Sequence, residues 1–237
     1  MIGRLRTWAA LADELLDDPR ADAQAVAASL ADIARINRWF GGAAAAVQRV
    51  APFLSGVPPG ATLTLLDIGT GSGDIPRAIQ AHAARRGITL RLLGIERHPA
   101  AARLARNGGS LAPLLADGRA LPFPDGAVDL VLCVKLLHHL PGAAGVALLR
   151  EMDRVARRGA LVADIRRSAV AAAGLWLVSW PLRFHPSTRR DGVISVLRGF
   201  SAAELTAACR GAGVAAEVCR DPGWCLSAAW RPAGAAA

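Results

Sequence analysis

The run Leu65 to Asp74 reads Leu-Leu-Asp-Ile-Gly-Thr-Gly-Ser-Gly-Asp, and it constrains the fold more than any other part of the chain. The apolar residues Leu63, Leu65, Leu66 and Ile68 have the extent of a buried strand, and they lead into Gly69, Gly71 and Gly73. Glycines at that point let the backbone turn sharply and let a ligand lie against bare main chain. A helix starting near Ser72 would aim its first amides at the same spot, which favours an anionic group. A dinucleotide fingerprint, Gly-x-Gly-x-x-Gly, counted from Gly69 requires glycine at 74, where the chain has Asp74. The motif present is Asp-x-Gly-x-Gly-x-Gly, beginning at Asp67. A glycine-rich turn that binds nothing is the plain alternative.

Two later segments argue against that alternative. Leu90 to Ile95 reads as a second strand and ends in Glu96, followed by Arg97. An acidic residue about twenty positions beyond a glycine loop, at a strand's C-terminal end, is placed to grip a ribose diol. A third segment, Ala116-Asp117-Gly118-Arg119-Ala120-Leu121-Pro122-Phe123, precedes another apolar strand, Val128 to Val134. Taken together, the three segments resemble the class I S-adenosylmethionine-dependent methyltransferases, of the type that includes quinone-biosynthesis and natural-product methyltransferases. The resemblance covers residues 63 to 165. It implies S-adenosylmethionine as cofactor, held by Asp67, Gly69, Thr70, Gly71, Gly73, Glu96, Arg97, Asp117, Gly118 and Val134. Asp117 would accept a hydrogen bond from the adenine amine, and Leu121-Pro122-Phe123 would pack beneath the cofactor. The implied fold is α/β: a doubly wound, mostly parallel seven-stranded Rossmann-like sheet, with an antiparallel last strand and added N-terminal helices.

At 237 residues the chain is long enough for one sizeable core. The net charge of +9 invites a nucleic-acid reading, but Lys135 is the only lysine and the arginines are scattered. A nucleic-acid face would cluster cations with stacking aromatics; Arg157-Arg158 and Arg166-Arg167 carry none. The Asn-Pro-Pro-aromatic motif of base amino-methylases is also absent after the fourth strand, so no nucleic-acid partner is expected. Cys133, Cys209, Cys219 and Cys225 form no Cys-x-x-Cys pair. That predicts no metal site and a reducing, cytoplasmic setting. Asp13, Glu14, Asp17 and Asp18 interrupt any apolar core near the start, so no signal peptide is expected there. The uncharged run Ser168 to Leu182 is shorter than the roughly 20 residues of a membrane span, which leaves only contact with a membrane surface open. No pattern specifies an oligomeric state.

Organisation follows from periodicity. Residues 1–60 read as an N-terminal helical cap, with helices over 22–40 and 43–53. Residues 61–231 read as the methyltransferase domain, with strands near 63–68, 90–95, 112–115, 128–134 and 159–165 and helices between. The helix predicted over 143–157 has Gly159 beyond it as a stop. Residues 168–200 read as a substrate lid containing a polar, basic loop over 184–191. A helix over 201–210 and strands near 214–219 and 224–230 close the domain, and 232–237 reads as a disordered tail.

S-Adenosylmethionine carries its own activated methyl group, so the protein must position the acceptor and remove its proton. His138 and His139 follow the strand Val128–Val134, and Asp164 lies near the end of the next strand. A histidine held by an aspartate is a general-base pair, and His139 with Asp164 is the pairing expected. Natural-product O-methyltransferases show a similar Leu-His-His and a similar Asp. The alternative is a histidine that merely caps the strand-to-helix turn. His185 and Arg189, in the predicted lid, and Trp39 and Phe40 are candidate contacts to a small-molecule acceptor. The expected activity is O-methylation of a phenol, quinol or polyketide-type acceptor. C-methylation of a quinol ring and a non-catalytic cofactor-binding partner of a biosynthetic complex are the alternatives.

Overall fold

Strand and helix alternate from Thr62 onward because short β-branched and leucine-rich runs are separated by helices with one apolar stripe. The computed structural model describes residues 2–233, with side chains from residue 7; most of the expected disordered tail lies outside them. The strands are β1 (Thr62–Ile68), β2 (Thr89–Glu96), β3 (Leu111–Leu115), β4 (Val128–Val134), β5 (Ala156–Ile165), β6 (Glu217–Asp221) and β7 (Cys225–Trp230). They form one seven-stranded sheet in the order β3-β2-β1-β4-β5-β7-β6. Strands β1 to β5 pair in parallel, and β7 runs antiparallel to both β5 and β6. In register, Leu65 of β1 lies between Leu92 of β2 and Leu130 of β4.

Nine helices are described: α1 (Ile2–Leu11), α2 (Ala23–Trp39), α3 (Gly42–Val50), α4 (Asp74–Ala84), α5 (Pro99–Asn107), α6 (Ala143–Val155), α7 (Ala169–Ser179), α8 (Pro186–Arg198) and α9 (Ala202–Ala212). Side chains alternate across a strand, so the sheet feeds two cores. Leu66, Ile68, Val131 and Cys133 pack with Leu148, Leu149 and Met152 of α6 and Leu205 of α9. Leu63, Leu65, Leu130 and Leu132 pack on the other face with Val50 of α3, Phe53, and Ile75 and Ile79 of α4. Burial on both faces explains why the central strands are continuously apolar. The strand order reverses between β1 and β4, and crevices form at such switch points, beyond the strands' C-terminal ends.

Four local expectations need correction. Strand β5 begins at Ala156 rather than near 159, directly after α6. Gly159 therefore does not stop a helix: it sits in β5, and a Cβ there would lie 2.4 Å from the Phe53 ring. The basic loop expected over 184–191 is largely the start of α8, because His185 caps it through Nδ1 and Pro186 opens its first turn. Strand β6 starts at Glu217, three residues later than expected, because Gly213 ends α9 in the left-handed region and Val214 N–H donates to Cys209 O.

The N-terminal segment and the predicted lid make one cover over the switch point. Asp191 of α8 accepts from Leu15 N (2.8 Å), and Arg198 of α8 donates to Ala9 O (2.9 Å), to Ala12 O and to Glu14 (2.9 Å). Among the described residues no helix is long and apolar enough to cross a membrane.

Candidate active site

A cavity of about 580 Å³ lies at the C-terminal ends of β1 and β4, beneath α2, α7 and α8. One end is built by the glycine loop. Gly69 and Gly71 have φ of +73° and +53°, so both require the left-handed conformation glycine allows. Gly71 is also covered closely, since a Cβ there would lie 3.1 Å from Leu30 of α2. The Gly71 amide donates to Glu96 Oε2 (2.9 Å), while Glu96 Oε1 accepts from the amides of Arg97 (2.8 Å) and His98 (2.9 Å). Three amides thus hold the Glu96 carboxylate at the cavity wall. Space is kept by Gly94, where a Cβ would meet Thr70 at 2.8 Å, and by Gly118, where it would meet Ile68 at 2.5 Å.

Beneath the loop, Asp67 is buried with Oδ1 unpartnered. Burial raises its pKa to about 7, and the negative charges of Asp74 and Glu96 add to the effect. The nearby Thr70 hydroxyl offsets part of this, more than either neighbouring carboxylate adds, but burial prevails. A buried carboxylate facing a cavity beside two further carboxylates suits a cationic ligand. S-Adenosylmethionine, with its sulfonium and ammonium charges, fits. Asp117 also lines the cavity, with its carboxylate engaged by Arg119 (Nη2–Oδ2 2.6 Å); that hydrogen bond holds its pKa down at about 2.

Of the expected cofactor residues, Asp67, Gly69, Thr70, Gly71, Glu96, Arg97, Asp117, Gly118 and Val134 line the cavity. Gly73 does not: it shapes the turn at φ +76°, with its amide on Thr70 O. Leu121-Pro122-Phe123 also lies away from the cavity. Glu151 accepts from Leu121 N (2.7 Å), and Arg154 donates to the carbonyls of Leu121 and Phe123.

The other end carries the two histidines, and here one pairing is corrected. Asp164 pairs with His138, not His139. His138 Nδ1 lies 2.7 Å from Asp164 Oδ1, and the His138 amide donates to Asp164 Oδ2 (3.0 Å). Both side chains are buried, and His138 Nε2 has no hydrogen-bond partner. Burial alone would raise the Asp164 pKa; the His138 interaction and the amides of Ile165 and His138 outweigh it and hold Asp164 below the usual carboxylate range. His139 turns instead toward Asp17 (Nδ1–Oδ1 3.2 Å) and Glu14 (Nε2–Oε2 3.8 Å). Burial opposes its protonation, but these carboxylates prevail and raise its pKa.

Three expected acceptor contacts fall elsewhere. His185 caps α8, and Arg189 stacks on Trp180 (3.7 Å) and donates to Ser179 Oγ (3.1 Å). Trp39 is half exposed and outside the cavity wall, whereas Phe40 lines it. Residues that sequence reasoning missed complete the wall. Lys135 Nζ donates to Asn37 Oδ1 (2.6 Å), and Asn37 Nδ2 donates to Asp74 Oδ2 (2.8 Å), tying α2 across the glycine loop to the end of β4. Partners this distant in sequence leave no local signal.

Glu14, His138 and His139 bring possible metal-ligand atoms within 4.8 Å of one another. The Arg198 guanidinium, however, touches Glu14 at 2.9 Å and lies 3.5 Å from His139 Nδ1. A fixed cation on two of the three members favours an ion-pair cluster over a divalent metal.

Residues 66–163 match the family described as a methyltransferase domain. An uncharacterized methyltransferase of Mycobacterium leprae is 37% identical over 107 residues, covering 45% of this chain and 38% of the relative. The chain thus spans well under half the length of that relative. Among solved structures, a SAM-dependent methyltransferase from Aquifex aeolicus aligns over 78% of this chain and 88% of its own, with TM-score 0.56 and 17% identity. The structure described as PigF with SAH aligns over 70% of this chain and 50% of its own, with TM-score 0.51 and 22% identity. These two likenesses concern the fold alone, and that fold is the one found here. With the glycine loop, the anchored Glu96 and the family match on the same residues, the core of this chain is a class I methyltransferase domain whose cofactor is S-adenosylmethionine.

Proposed function

We propose that the protein transfers a methyl group from S-adenosylmethionine to a hydroxyl of a small, largely apolar acceptor of the phenol, quinol or polyketide type, with His138 as the base. The observation that carries this reading is the buried His138–Asp164 pair, in which His138 lines the cavity with Nε2 unpartnered and Asp164 lies behind it. An ionised Asp164 accepts from Nδ1–H, which fixes the tautomer and leaves the Nε2 lone pair free for a proton. The same carboxylate stabilises the imidazolium formed when the acceptor hydroxyl is deprotonated. Ile33, Ile36, Leu175 and Val178 give the acceptor end an apolar lining, which supports an apolar substrate. The bound cofactor supplies the activated methyl group; the chain supplies orientation, exclusion of water and the base.

C-Methylation of a quinol ring would use the same base after attack and is the second reading; a protein that binds cofactor without transfer is the third. Four free thiols, three of them buried, support a reducing, cytoplasmic setting. The test is His138→Ala assayed with a panel of phenols and quinols, products identified by mass spectrometry. Turnover on an acceptor of high pKa should fall about 10²–10⁴-fold with cofactor affinity little changed, and His139→Ala should cost less. A loss below about threefold for His138→Ala would reject the base assignment.

A further inference from the structure

An apolar, aromatic and basic face borders the acceptor end of the cavity. Trp39 and Phe40, at the end of α2, are 50% and 44% exposed; Trp176, Leu177 and Trp180, on and just after α7, are 47%, 61% and 54% exposed. Arg35 stitches these two ends together: its guanidinium stacks 5.4 Å from Trp39 and 4.8 Å from Phe184, and Nη2 donates to Leu182 O (2.7 Å). Trp176 and Trp180 meet edge to face at 5.9 Å. Leaving so many large apolar side chains in water is unfavourable, and a contiguous patch of this kind marks an interaction surface.

Charge identifies the partner. Arg38 and Arg183 are exposed on the same two segments, and residues 33–66 and 166–190 contain no Asp or Glu; Arg190, at the end of the second, is tied instead to Asp13 O and Asp191. Asp32, just before the first segment, is buried and paired with Arg35. Helix α7 has no charged residue, yet its 11 residues extend only about 16 Å. That is half of a hydrocarbon core of about 30 Å. A short apolar helix rimmed by tryptophan and arginine matches the chemistry of a membrane interface, with aromatic rings at headgroup level and guanidinium groups on anionic lipid.

We propose that this face docks on an anionic lipid surface. Docking would also place the cavity next to the bilayer. Val178 of α7 and Phe40 are exposed on this face and line the cavity as well, so the face and the cavity share an apolar edge. A bilayer-dissolved acceptor could then enter between α2 and α7. This entry route rests on the methyl-acceptor reading above; the docking does not.

Co-sedimentation with unilamellar vesicles tests it without any turnover assay. The protein should bind vesicles containing about 30 per cent phosphatidylglycerol, bind pure phosphatidylcholine far less, and release as salt rises. Removing the arginine charges in Arg38→Gln and Arg183→Gln should weaken binding about fivefold each. Trp176→Ser combined with Trp180→Ser should weaken it at least about tenfold and reduce the blue shift of tryptophan emission on vesicle addition to what Trp39 contributes. The melting temperature and the affinity for S-adenosylhomocysteine of each variant confirm that it is folded. No sedimentation with anionic vesicles at low salt overturns the proposal. So does equal binding by the folded double tryptophan variant, and binding that persists only with a protein partner would assign the face to that partner instead.

Discussion

Replacing Asp67 with Asn separates what the glycine loop does for the fold from what it does for the cofactor. Asp67 is buried, and its pKa in the fold is about 7 against an ordinary value near 3.8. A raised carboxyl pKa means that the folded state binds the proton more tightly than the unfolded chain. The resulting stabilisation is complete below about pH 4 and is lost as pH rises through about 7. At 1.36 kcal/mol per pH unit, a shift of about three units is worth up to about 4 kcal/mol. Relaxation and water in the cavity reduce this, so about 2–4 kcal/mol is the expected gain from a neutral amide at pH 8. For a chain of this size, that raises the melting temperature by about 5–15 °C. Near pH 5, where Asp67 is mostly protonated, the gain should be much smaller. Affinity should move the opposite way. A cationic cofactor pulls Asp67 into its ionised form, so loss of the charge should weaken S-adenosylmethionine binding about 10- to 100-fold at pH 8. For the same reason, wild-type affinity should fall as pH drops below about 7. Thermal melts and calorimetric titrations of both proteins from pH 5 to 8 measure each arm. Parallel stability curves for wild type and Asp67→Asn would refute a carboxyl group that titrates near neutrality.

Other consequences are equally direct. Glu96→Ala should weaken S-adenosylhomocysteine binding by about 1.5–3 kcal/mol, as for a lost charge-assisted hydrogen bond, and an unchanged dissociation constant would remove Glu96 from the cofactor site. Gly71→Val places a branched side chain at φ +53° in the cavity wall beside Leu30, so a folded variant with normal cofactor affinity would contradict the loop assignment. Asp164→Asn weakens the buried carboxylate that accepts from His138 Nδ1 and from the His138 and Ile165 amides, so it should destabilise the fold by about 1–3 kcal/mol; an unchanged melting temperature would show that these hydrogen bonds do not support the fold. Prolonged dialysis against a chelator should leave turnover unchanged, because Arg198 already occupies the Glu14–His139 cluster. A rate lost and then restored by a divalent cation would instead make that cluster a metal site.

The sequence by itself determined the sheet from β1 to β5 and most of the cofactor end of the cavity. Those features are local: each is a strand, its turn and the start of a helix, and a handful of adjacent residues specifies them. The glycine loop is one such unit, and Glu96 closes another. The cap of α8 was also written locally, in His185-Pro186-Ser187, although its polar first turns read as a loop. The acceptor end was decided by tertiary structure. His138 and His139 are neighbours in a short turn, and nothing in Leu-His-His-Leu says which ring faces Asp164, 26 positions on from His138. His139 takes its carboxylate from Asp17, 122 positions away, and Lys135 reaches Asn37 across 98. Such pairs carry no periodicity or spacing. They form because packing α1, α2 and α8 over the switch point buries polar groups that must then find partners, and only the assembled fold decides which partners lie within reach.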